Sequence, residues 1–293
     1  MITADGDATV RKLFVVTGIV QGVGFRPFVH GLAAGLDLSG FVGNDTNGVF
    51  IEIEGQPDVV DEFARRLEVE APPASKIEAV ADESIPVIGE RGFRIVASVA
   101  SHGGTALVSP DLATCADCVR ELEDPADRRY RYPFINCTNC GPRFTITRST
   151  PYDRPQTTMG EFTMCAPCRR EYDDPSDRRF HAQPNACTDC GPKVWFEDAG
   201  GLDHPDAVQA ARALVADGRV VAVKGLGGFH LACNAFSDEA VGLLRERKGR
   251  VGKPFAVMVR DLDTARSVAH IDHDEEALLV SSQRPIVLLD KRT

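Results

Sequence analysis

The sequence predicts an α+β chain of several modules: a small sheet-and-helix domain, a duplicated four-cysteine module, and an α/β segment. Three observations predict it. The first hundred or so residues alternate β-branched runs with helical spacings in the order βαββαβ, the ferredoxin-like split βαβ arrangement. Eight of the nine cysteines stand in four Cys-x-x-Cys pairs. The final stretch reads helix, apolar strand, glycine-rich turn, helix, basic loop and apolar strand. Module boundaries at 10–98, 108–148, 158–198 and 203–293 follow from these patterns.

In the first module, "KLFVVTGIV" is apolar and β-branched and stops at the glycine bend "QGVG", which marks a strand. "RPFVHGLAAGLDL" places apolar residues at 28, 29, 32, 33 and 36, a helical spacing. "SGFVGNDTNGVFIEIEG" holds two strands around a turn at Asn44–Gly48, where the Asn-Gly pair favours positive φ. "PDVVDEFARRLEVE" opens with Pro57 and repeats apolar residues at 59, 60, 63, 64 and 67, a second helix. "IEAVADESI" and "GFRIVAS" supply the remaining strands.

Composition narrows the function classes. With 43% hydrophobic and 26% charged residues, the 293-residue chain has the make-up of an ordinary globular protein of two or three domains. No apolar run approaches the ~20 residues of a membrane span. The N-terminus, MITADGDATVRK, lacks a signal-peptide layout, so a cytoplasmic protein without a membrane partner is expected. The net charge of −10 argues against a nucleic-acid partner. The one basic cluster is Arg245-Arg247-Lys248-Arg250-Lys253.

The bend Gln21-Gly22-Val23-Gly24-Phe25 lies where the first helix starts, followed directly by Arg26. Helix N-termini offer unpaired N–H groups and a favourable dipole to an anion. Glycines let the backbone approach its oxygens, and Arg26 adds a permanently charged fork suited to phosphate. The combination reads as a phosphoryl cradle, although such a bend is more often plain turn chemistry. Asn44, at the end of the strand after the helix, can face the same loop and place a water for phosphoryl transfer. Taken alone it reads as a hairpin residue.

The cysteine pairs are Cys115/Cys118, Cys137/Cys140, Cys165/Cys168 and Cys187/Cys190. A shift of 50 residues superposes the first two pairs on the last two, with 15 identities in 28 positions, an internal duplication. Cys-x₂-Cys-x₁₈-Cys-x₂-Cys suits one tetrahedral Zn²⁺ per repeat, structural because four thiolates leave no open position. Pairing within each repeat is favoured, since the ancestral unit once closed alone. Iron could bind the same ligands, but zinc is the expected occupant. Cys233, in an apolar stretch, reads as a small buried side chain.

The stretch "VTGIVQGVGFRPFV…GFVGNDTNGVFIEIEG" resembles the acylphosphatase family. That resemblance implies metal-free cleavage of acyl phosphates, with Arg26 binding phosphate and Asn44 orienting water. The same module placed before two "CxxC…CxxCGP" repeats resembles the N-terminal part of the HypF carbamoyltransferases, which mature nickel–iron hydrogenases. The last segment, "KGLGGFHL…RERKGRVGKPFAVMV", resembles the opening of a YrdC/Sua5-like nucleotide-binding domain, with Lys224, Lys248, Arg250 and Lys253 as its basic phosphate-binding residues. Whole domains of that type need nearly twice the residues, and the family's large C-terminal transferase domain has no counterpart here. The chain is therefore expected to be part of a longer parent. By resemblance, that parent uses carbamoyl phosphate and ATP to carbamoylate the C-terminal cysteine of a HypE-like partner. Two rivals are a free-standing acylphosphatase on a zinc scaffold and a zinc/YrdC-type RNA-binding protein. The charge of −3 over residues 101–200 disfavours the second.

Overall fold

The computed structural model describes residues 9–99, 106–198, 200, 204–249 and 252–292. They fall into two compact units, Met1–Pro192 and Lys193–Thr293.

In the first unit, β1 (Val10–Ile19), β2 (Ser39–Asn44), β3 (Val49–Gly55), β4 (Lys76–Ser84) and β5 (Phe93–Ile95) form one sheet in the order β4-β1-β3-β2-β5. The pairings among the first four are antiparallel, while β5 joins β2 in parallel. The sheet thus carries one edge strand more than βαββαβ requires. Helices α1 (Phe25–Gly35) and α2 (Pro57–Val69) bury their apolar stripes against it. Val29 and Leu32 of α1 and Val60, Phe63 and Leu67 of α2 meet Phe14, Val16, Ile51 and Ile53 in a single core. Register follows from this burial: Phe14 stands opposite Ile51 and Val16 opposite Val49, so the inward positions of both strands coincide. Full burial of such side chains contributes roughly 1.5–3 kcal/mol each.

The β2–β3 turn differs from the expected one. Neither Asn47 nor Gly48 has positive φ. Instead the Asp45 carboxylate accepts hydrogen bonds from the N–H groups of Asn47 and Gly48, at 2.7 and 2.8 Å, an Asx-type turn that removes the need for left-handed backbone. Gly48 is required for another reason: a Cβ there would sit 2.1 Å from the Val16 carbonyl oxygen.

The cysteine repeats complete the first unit. Each has a short helix starting directly after its first cysteine: α3 (Ala116–Glu123) after Cys115 and α4 (Ala166–Asp173) after Cys165. Their cores are small and built around the thiols.

The second unit holds α5 (Ala207–Ala216), a hairpin of β6 (Val221–Gly225) and β7 (Gly228–Ala232), and α6 (Asp238–Arg247). Asp206 and Ser237 cap the two helices through their side chains. The stretch "PFAVMV" was expected to be a buried strand; it is irregular, with Val257 and Met258 exposed. Among the described residues no strand pairs with it. Cys233, expected to be buried, is half-exposed.

Candidate functional site

The site begins where β1 ends. Its pairing with β4 slips between Thr17 and Gly18, a bulge that redirects the chain into the loop Gln21–Phe25. Gly22 and Gly24 hold φ of 75° and 77°, a left-handed conformation that disfavours side chains. The side chains of Val23 and Phe25 turn into the core, leaving the loop backbone to face outward. Gln21 is a bolt. Its amide donates to the carbonyls of Asp45 and Gly48, both at 2.7 Å, and its Oε1 accepts from the Tyr152 N–H at 2.8 Å. The Gln21 side chain is therefore committed to holding loop and turn together.

Arg26 sits in the first turn of α1, where N–H groups have no acceptor within the helix. Its guanidinium is nearly buried and donates to Asp153 Oδ1 at 2.7 Å and to Ser98 Oγ at 3.3 Å. Asn44, the last residue of β2, is 1% exposed, and neither polar atom of its side chain has a hydrogen-bond partner. Leaving such a group unsatisfied costs about 1–3 kcal/mol. Arg26, Asn44, Gly22 and Gly24 line one cavity of about 20 Å³, enough for a water.

The roof of that cavity comes from the cysteine repeats: Thr138, Arg143, Tyr152, His181 and Gln183. These residues, and Asp153, carried no signal in the sequence, because each reaches the loop from more than a hundred residues away. Arg143 is the structural link. It is 1% exposed and donates to the carbonyls of Gly22 in the loop and of Cys137, Thr138, Cys140 and Pro142 around the first thiol cluster. Burial, reinforced by the charge of Arg26, pulls the His181 imidazole down to about 4, so it is neutral near pH 7. Burial pushes the Tyr152 phenol up to about 12, and its hydroxyl, without a partner, remains a proton donor. The cavity thus combines two guanidiniums, Arg26 and the carbonyl-bound Arg143, with the neutral side chains of His181, Tyr152 and Gln183, an environment for a small oxyanion.

The eight paired cysteines converge within their own repeats: Cys115, Cys118, Cys137 and Cys140 in one cluster, Cys165, Cys168, Cys187 and Cys190 in the other. Close Sγ–Sγ separations run from 3.5 to 3.8 Å in the first and 3.5 to 3.9 Å in the second. A zinc tetrahedron with Zn–S bonds of 2.3 Å has sulfur edges of about 3.8 Å, so both clusters fit the metal. Contact with Cys137, together with burial, pushes the Cys118 thiol up to about 12. Four thiolates this close are stable only around a cation.

In the second unit, Lys224 lies over the Phe229 ring at 5.0 Å, Lys248 follows the last turn of α6, and the Lys253 carbonyl accepts from Arg245. All three lysines are exposed. Among the described residues no hydrogen bond or ion pair joins them; Arg250 lies outside the described residues.

Family models match in the same order along the chain: Acylphosphatase over residues 12–95, HypF finger over 114–147 and 164–197, and a model described as Telomere recombination, of the Sua5/YciO/YrdC type, over 213–293. The carbamoyltransferase HypF of Rhizobium leguminosarum bv. viciae is 54% identical over 288 residues, covering 98% of this chain and 36% of that protein. The crystal structure of full-length HypF in its phosphate- and nucleotide-bound form superposes with a TM-score of 0.93 at 48% identity, over 99% of this chain and 38% of the other. The chain belongs to the HypF family. It spans a little over a third of the HypF proteins it matches. Within it, the acylphosphatase-type domain is also 42% identical to the acylphosphatase of Bifidobacterium longum, of which it covers 84%. The HypF fingers are the two thiol clusters. Among the described residues no helix is long and apolar enough to cross a membrane.

Proposed function

We propose that the first domain cleaves the phosphoryl bond of carbamoyl phosphate, as the opening step of a HypF-type carbamoyl transfer. The observation that carries this reading is the pairing of a fixed cation, Arg26, with a buried and unsatisfied amide, Asn44, on one cavity at a helix start. Arg26 and the loop N–H groups bind the phosphoryl oxygens once Asp153 moves aside. Asn44 Oδ1 accepts a hydrogen bond from the attacking water. The water oxygen bonds to phosphorus, the bond from phosphorus to the carbamate oxygen breaks, and the water proton ends on a phosphate oxygen. Carbamate leaves as the anion. Catalysis is placement and charge stabilisation, and neutral His181 and Tyr152 help to exclude water from a product that hydrolyses readily.

The two Cys₄ clusters hold structural Zn²⁺. ATP is the co-substrate of the longer parent, used at the Sua5/YrdC-type domain through Lys224, Lys248, Arg250 and Lys253. The acceptor is the C-terminal cysteine of a HypE-like protein. The HypF relative crystallised with phosphate and nucleotide supports the phosphate and nucleotide readings. Eight thiols kept reduced for metal suit the cytoplasm. The test is phosphate release from carbamoyl phosphate without added metal ions: wild type turns over and Arg26→Ala does not. Equal rates, in this chain and in its longer parent, would reduce the loop to an ordinary turn.

A further inference from the structure

The two fingers exchange arginines. Arg128 of the first repeat places Nη2 3.2 Å from the Sγ of Cys168 in the second, and Arg129 Nη2 lies 3.7 Å from the same sulfur. In return, Arg178 of the second repeat places Nη1 and Nη2 3.2 and 3.3 Å from the Sγ of Cys118 in the first. The residues correspond at the 50-residue offset of the duplication. Each pair of arginines is oriented by the helix it reaches: Glu171 on α4 binds Arg128 and Arg129, and Glu121 on α3 binds Arg178 and Arg179. Cys168 and Glu171, like Cys118 and Glu121, are three residues apart and so share a helix face. The exchange extends to the backbone, where Arg129 Nε donates to the Ala186 carbonyl and Arg179 Nε to that of Asn136. Among the described residues neither Arg128 nor Arg178 bonds a cysteine of its own repeat.

We propose that each finger's metal site is completed by the other finger, with Arg178 serving the Cys115/Cys118/Cys137/Cys140 site and Arg128 the Cys165/Cys168/Cys187/Cys190 site. A zinc ion with four thiolates carries two net negative charges. Charge-assisted N–H···S bonds disperse that charge. Partners of this kind around a metal's ligands are typically worth 10–100-fold in affinity. Here the donors come from the opposite repeat, so Arg128 and Arg178 are positioning residues that act across the two fingers.

The inference rests on the zinc reading, and the experiment separates the two. The full chain is loaded with zinc, challenged with a colorimetric chelator, and alkylated with iodoacetamide over time, and labelled cysteines are located by mass spectrometry. Arg178→Gln is expected to release zinc roughly tenfold faster or more from the first site, exposing Cys115, Cys118, Cys137 and Cys140 ahead of the other four. Arg128→Gln is expected to do the converse. Arg178→Lys, which keeps charge but not the fork, tests the same crossing in a milder background and should label the first site ahead of the second by a smaller margin. Preferential labelling within the mutated repeat, or equal labelling of both in the glutamine and lysine variants, overturns the crossed assignment. Wild-type chain that takes up no zinc removes the underlying reading instead.

Discussion

Asp153 holds Arg26: its carboxylate lies 2.7 Å from the guanidinium, across 127 residues of chain. The connector between the two fingers thereby pairs Arg26 with an anion of its own. Both partners are mostly buried, so the contact is stronger than an exposed ion pair. Phosphate must compete with it. Asp153→Asn keeps the shape and removes the charge, and is expected to tighten inhibition by inorganic phosphate by up to about tenfold, roughly 1.4 kcal/mol. An unchanged inhibition constant would mean that Asp153 leaves the site without cost.

Asn44→Ala removes two polar atoms that the fold leaves unsatisfied. Stability should hold or rise by about 1 kcal/mol, read as the urea midpoint. kcat for acyl phosphate cleavage should fall by roughly two to three powers of ten with KM little changed, because placing water matters most in the transition state. Loss of stability together with activity would identify Asn44 as a packing residue.

Arg26→Lys keeps the charge but loses the fork, and is expected to cost about two powers of ten or more in kcat/KM. Near-wild-type turnover by the lysine variant would show that charge alone suffices.

Arg143 ties the Gly22 carbonyl to the carbonyls around the first thiol cluster. Chelating the metal should therefore slow acyl phosphate cleavage even though zinc takes no part in the chemistry. Arg143→Ala should show the same loss with both metals still bound. Full activity after metal removal would disconnect loop and finger.

His181 is uncharged in the fold until about pH 4, against an ordinary value of 6.5. Its depressed pKa makes the unfolded chain bind the extra proton first. Its contribution is fully present above pH 6.5 and is lost as pH falls from 6.5 to about 4, on the order of 3 kcal/mol in total. Denaturation midpoints of wild type and His181→Gln should diverge over that window. Acid release of zinc is common to both and cancels in the difference.

The strand, bend and helix of residues 10–35 were legible because their signals are local: β-branched runs, two glycines before a helical spacing, and a cation that cannot lose its charge. The thiol clusters were legible because four ligands at fixed spacing have few other uses. Asp153, Arg143 and His181 were not, since an aspartate after a tyrosine or an arginine after Cys-Gly-Pro gives no hint of a partner a hundred residues earlier. The Asn47-Gly48 turn misled because Asp45, two residues before, offers its carboxylate and changes which backbone angles are cheap. "PFAVMV" misled because apolar, β-branched composition makes a strand only where another strand receives it.

The reciprocal Arg–Glu pairs between the repeats have a consequence for heredity. After a duplication, one copy is ordinarily free to drift or vanish, since the other still performs the original task. Here, deleting either copy would strand two guanidiniums and a carboxylate in the survivor. Recombination that moves both fingers together can yield a working chimera, whereas a crossover between them joins halves whose contacts were never matched. The pair should pass between lineages as one indivisible segment.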